Sequence, residues 1–121
     1  MSIELPAVQR PFLYQGRTIA EWLPSVVERI AAAYKPERII LYGSLARGDA
    51  GPDSDIDLLV EFERPVDKHV TAVGLRGAIE DVPAPVDFLV TDSDEVRHRG
   101  TLPGLALAAA LREGTVVYQR S

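Results

Sequence analysis

Two short apolar runs, Ile39-Ile40-Leu41 and Leu58-Leu59-Val60, stand on either side of a polar stretch that opens with Gly43-Ser44 and closes with Asp55 and Asp57. Each run has the length of a buried strand, and the glycines and Pro52 between them mark turns. Gly43-Ser44 ends the first strand and Asp55 begins the second. The two signatures therefore meet at one sheet edge only if the strands are antiparallel. That requirement restricts the chain more than any other feature of its sequence.

The remaining segments fit around this pair. Pro85-Val86-Asp87-Phe88-Leu89-Val90 reads as a third strand, and the helical crossover before it allows that strand to run parallel to the second. In the crossover, residues 66–82, Ala72, Leu75, Ile79 and Val82 share one face, Gly74 and Gly77 weaken the helix, and Pro83 is expected to end it. Upstream, Thr18 and Glu21 have capping-box spacing, but Pro24 argues for a helix over 24–34 with the proline in its first turn. Val26, Ile30 and Tyr34 make its inner stripe, beside Val27 and Ala31. Thr101-Leu102-Pro103 is expected to open a last helix with Leu102, Leu105, Ala106 and Ala109 inward, stopped at Gly114, before a strand or tail over 115–118. Leu107 and Leu111 fit either the core or a partner interface. The expectation is an α/β fold: a small mixed sheet of about three core strands plus an edge strand, covered by helices. Residues 1–17 read as an N-terminal arm with a short strand near Phe12-Leu13-Tyr14, and residues 18–121 as one domain.

Composition narrows the chemistry. The 121 residues carry a net charge of −5, which argues against a general grip on nucleic acid. There is no cysteine, so disulfides, thiolate catalysis and cysteine zinc sites are excluded, and oxygen-ligated magnesium or manganese is the natural metal class. Neither a leader pattern at Met1 to Arg10 nor a run long enough for a bilayer is present, so a cytoplasmic location without membrane contact is expected.

Aspartates two apart on a strand share a face, about 6.6 Å apart at roughly 3.3 Å per residue. Asp55 and Asp57 can therefore share one or two cations, and a two-metal site usually adds a third carboxylate. Asp87 is the candidate, because it interrupts an apolar strand where a buried carboxylate needs a positive neighbour. Gly43 lets backbone approach a ligand closely, Ser44 adds a hydroxyl, and a helical turn begun there offers N–H groups to phosphate. Arg47 fits a phosphate contact and a surface charge equally. Asp49 and Asp53 read as turn residues around Gly51-Pro52, and Asp92 and Asp94 as caps of a short helix. His69 and His98, with Lys68, Arg97 and Arg99 around them, have no metal-ligand spacing and read as solvated or partner-facing.

Gly43-Ser44-Leu45-Ala46-Arg47-Gly48 followed by Ser54-Asp55-Ile56-Asp57-Leu58 resembles the minimal nucleotidyltransferase branch of the DNA polymerase beta-like superfamily. The tail from Ala110 to Tyr118 is also similar, so the resemblance covers roughly residues 24–118. It implies that Asp55, Asp57 and Asp87 ligate two Mg²⁺ ions, that Asp87 helps deprotonate an acceptor hydroxyl, and that Gly43 and Ser44 hold the triphosphate of a nucleoside triphosphate, ATP first. Larger relatives add a domain that holds the acceptor, and little chain follows Asp87 for that purpose. Minimal members commonly pair with a helical HEPN protein, often an RNase toxin, and act as its antitoxin, some by transferring AMP to a tyrosine. The resemblance thus implies a protein adenylyltransferase. A binding module that neutralises its partner by covering it is the alternative, and transfer to a small molecule such as an aminoglycoside is a third reading.

Overall fold

The computed structural model describes residues 12–51 and 54–121. Residues 1–11 of the expected arm, together with Pro52 and Asp53, lie outside the described residues. In chain order the elements are α1 (Ile19–Tyr34), β1 (Arg38–Tyr42), α2 (Gly43–Arg47), β2 (Ile56–Phe62), α3 (Lys68–Ala78), β3 (Val86–Asp92), α4 (Ser93–Arg99), α5 (Ala106–Glu113) and β4 (Thr115–Gln119). No helix among the described residues is long and apolar enough to cross a membrane.

The four strands form one mixed sheet in the order β3-β2-β1-β4. β1 is antiparallel to β2 and to β4, while β2 and β3 are parallel through the α3 crossover. Alternation along the strands supplies two apolar faces. On one, Ile39, Leu41, Ile56, Leu58 and Val60 pack against Trp22, Val26 and Ile30 of α1 and against Leu75 and Ile79 in and just beyond α3. On the other, Ile40 and Leu59 meet Leu107 and Ala110 of α5. Each fully buried aliphatic side chain contributes about 1.5–3 kcal/mol relative to exposure. A one-residue slip would exchange the two faces, so burial fixes the register.

Helix α1 begins earlier than the expected start at residue 24. Thr18 accepts from the Glu21 N–H at 3.2 Å, and the Glu21 carboxylate accepts from the Thr18 N–H at 2.9 Å, a complete capping box. Pro24 removes the N–H that would meet the Ala20 carbonyl, but both residues are exposed, and water can satisfy that oxygen. The strand expected near Phe12-Leu13-Tyr14 is a single bridge, Tyr14 to Arg17, closing a turn through Gln15 and Gly16. Trp22 Nε1 donates to the Tyr14 carbonyl at 2.7 Å and anchors that turn on α1.

Two further expectations need correction. The last helix starts at Ala106, not near Thr101, because Gly104 takes φ +84° and turns the chain before it. The later start resets the helical phase: Leu107, Ala108 and Ala110 are buried, whereas Leu102, Leu105 and Ala106 are exposed and Ala109 is half-buried. α3 stops at Ala78, ahead of Pro83, and Gly74 has a packing role besides weakening the helix: a side chain there would collide with the Tyr34 hydroxyl of α1. Asp92 caps α4 as expected, accepting from the Glu95 N–H at 2.9 Å. Asp94 lies within the first turn and pairs with Arg97.

Candidate active site

Three strands contribute to one corner of the sheet. In the β1–β2 register Tyr42 is opposite Asp57, and in the parallel β2–β3 register Asp57 is beside Asp87. Tyr42, Asp57 and Asp87 thus form a row across neighbouring strands, and Asp55, two residues before Asp57, leans to the same face. One carboxylate oxygen from each of Asp55, Asp57 and Asp87 lies within 4.8 Å of the others. Antiparallel and parallel pairing together are needed to bring these residues into one place.

Gly43 follows β1 directly and takes φ +77°. A Cβ built there would collide with Asp57 Oδ2, so this glycine meets both a backbone requirement and a spatial one. Ser44 donates to Ser54 Oγ at 2.9 Å, and Ser54 Oγ accepts from the Gly51 N–H at 2.8 Å. The Gly43-Ser44 turn is thereby fastened to the loop that delivers Asp55. The N-cap residue Tyr42 makes no side-chain hydrogen bond to α2 among the described residues, and N–H groups in a first helical turn without such a cap can meet an acceptor from outside the chain. Arg47 is exposed and its Nε is 3.4 Å from Asp49 Oδ2.

The three carboxylates repel one another. The Asp57 carboxyl is held above its usual range first by burial and then by the charges of Asp87 and Asp55, with Arg47 opposing. The half-buried Tyr42 phenol is raised by burial and by Asp57 and Asp87. A divalent cation would offset this repulsion, and three convergent carboxylate oxygens are the donor set that hard cations prefer. The residues present fit such an ion, with Asp55, Asp57 and Asp87 as its ligands.

Asp87 differs from expectation in one respect. Its side chain is 60% exposed on the edge strand β3, not buried, and Arg76 of α3 lies 3.5 Å from it. Among the described residues β3 has a strand neighbour on one side only, and the start of the strand faces solvent. Sequence reasoning missed Arg76, which is separated from Asp87 by the turn between α3 and β3. It also missed Tyr42, although strand parity with Ile40 places it on the face that carries Asp57. Lys68 pairs with Glu95 at 2.6 Å, and His98 hydrogen-bonds within its own helix to the Asp94 carbonyl, so neither contributes to this corner.

The profile of the nucleotidyltransferase domain matches residues 23–103, which span β1, the glycine-serine turn, all three aspartates and α4. The chain belongs to the nucleotidyltransferase domain family. A candidate nucleotidyltransferase from Sulfolobus solfataricus, solved as a crystal structure, is 22% identical, with a TM-score of 0.60 over 84% of this chain and 81% of that one. This likeness is one of fold, and it agrees with the polymerase beta-like architecture of a mixed sheet flanked by helices. Among curated proteins none matches the sequence. For this nucleotidyltransferase domain, transfer of a nucleotidyl group is the activity shared at the level of the family.

Proposed function

We propose that the protein is a Mg²⁺-dependent nucleotidyltransferase that moves a nucleoside monophosphate, AMP from ATP first, to a hydroxyl on a partner protein. The observation that carries this reading is the convergence of Asp55, Asp57 and Asp87 within 4.8 Å, beside a glycine whose Cβ would collide with one of them. Bound divalent cations, Mn²⁺ as an alternative to Mg²⁺, would neutralise charge on the triphosphate and on the leaving pyrophosphate. The uncapped turn at Gly43-Ser44 receives the triphosphate through backbone N–H groups and the Ser44 hydroxyl, with Arg47 within the same helical turn to add charge. The acceptor hydroxyl attacks the α-phosphorus and its proton passes to Asp87. The new oxygen–phosphorus bond forms as the bond to the β-phosphate oxygen breaks, releasing pyrophosphate. Catalysis of this type consists mainly of positioning and charge stabilisation.

The exposure of Asp87 supports a large acceptor. A carboxylate exposed on the edge strand can be reached by a residue on another protein's surface. The biological setting favoured by family resemblance is a helical HEPN toxin, with this chain as its antitoxin. A binding module that neutralises its partner by coverage is the second reading. The intact carboxylate triad favours transfer, since coverage alone gives no reason to gather three mutually repelling acids.

Co-expression with the toxin separates the two readings. The Asp55→Asn/Asp57→Asn double variant should lose protection of growth while remaining folded and expressed. Full protection by that variant would establish coverage and reject transfer as the neutralising step.

A further inference from the structure

We propose that Arg76 is a built-in counter-charge for the carboxylate triad, holding Asp87 in the metal-free protein and giving it up when a divalent cation binds. The inference rests on the metal site described under the proposed function and adds a residue that sets its cation affinity. Asp87 is the most exposed of the three acids and sits on an edge strand, so burial does little to fix its side chain. Arg76 supplies what burial does not. Its Nη2 is 3.5 Å from Asp87 Oδ1, and its Nη1 donates to the Val86 carbonyl at 3.3 Å. The planar guanidinium therefore grips the first two residues of β3 at two points, a geometry that lysine would not reproduce.

Among the described residues no other cationic side chain is ion-paired with any of the three acids. Arg47 acts on Asp57 through its charge, but its own ion-pair partner is Asp49. A divalent ion among Asp55, Asp57 and Asp87 would share Asp87 with a guanidinium of the same sign. Repulsion between a double charge and a single charge a few ångströms apart exceeds what an exposed ion pair gains by ordering one carboxylate. Competition therefore outweighs positioning, and Arg76 lowers the affinity of the site for its cation.

Mn²⁺ binding to the metal-free protein, followed by electron paramagnetic resonance of the free ion, tests this directly. Arg76→Ala should bind Mn²⁺ about 3–10-fold more tightly at low ionic strength, and the gain should shrink at high salt as screening shortens the interaction. Arg76→Lys, which keeps the charge, should stay closer to wild type than Arg76→Ala. Arg97→Ala, which removes a cation paired with Asp94 in its own helix, should leave affinity unchanged. Melting temperature gives a second readout: Arg76→Ala should lower it without metal and lose that effect at saturating Mn²⁺. Unchanged or weaker Mn²⁺ binding in Arg76→Ala would overturn the proposal alone if wild-type binding is still abolished by Asp55→Asn/Asp57→Asn. Absence of Mn²⁺ binding by the wild type would overturn both this inference and the metal site on which it rests.

Discussion

Gly43 shows how strictly a single position can be specified at this corner of the sheet. Its φ of +77° alone would cost a residue with a side chain about 1–2 kcal/mol, and a methyl group would also displace the Asp57 carboxylate that it meets. Gly43→Ala is therefore expected to lower the melting temperature and to weaken Mn²⁺ binding at least 10-fold. Gly51→Ala is the matching control, because its Cβ meets nothing and its backbone is not in the left-handed region. Wild-type affinity in Gly43→Ala would show that Asp57 is not held in place by this contact. Ser54 has a comparable structural part, since its hydroxyl joins the Gly51 N–H to Ser44. That link was not legible beforehand: a serine in a polar loop has many local partners, and only the folded loop selects one.

Among the elements, the strands were more legible than the helix ends. β1, β2 and β3 fall near their expected positions because apolar runs report burial directly, and their relative directions followed from where Gly43, Asp55 and Asp87 had to meet. Helix boundaries depend on competing local terms. At α1 the capping box at Thr18 prevails over the cost of Pro24, whose freed carbonyl partner is exposed to water. Thr18→Ala should cost about 1 kcal/mol, a fall of roughly 3–5 °C in melting temperature measured by circular dichroism. An unchanged melting temperature would place the effective start of the helix near Pro24 after all. At α5 the turn at Gly104 shifts the helical phase, a choice that periodicity could not make because apolar residues occupy every position from Leu105 to Leu111.

At the scale of the whole molecule, the sheet separates stability from chemistry. One face is closed by α1 and α3, while part of the other is closed by α5. The end where β2 and β3 begin carries the three acids. Far from that end, buried Glu61 receives two hydrogen bonds from Arg38, at 2.9 and 2.6 Å, and one from Ser93 at 3.1 Å. The same strand, β2, thus carries a fully partnered acid at one end and a repelling cluster at the other. The acid triad could be read from the sequence because its members obey strand periodicity. Arg76 could not, because its contact with Asp87 depends on how α3 packs beside β3, a tertiary relation with no local spacing rule. The exposure of Asp87 was hidden for a related reason: an apolar sequence pattern does not tell an edge strand from a central one.

The measurement that most directly tests the proposed transfer by this triad is the intact mass of the proposed toxin partner after incubation with the protein, Mg²⁺ and each nucleoside triphosphate in turn. A gain of one or more nucleoside monophosphates is expected with ATP, and none with the Asp55→Asn/Asp57→Asn variant. An unchanged partner mass with every nucleotide, while a stable complex still forms, would contradict nucleotidyl transfer to that partner.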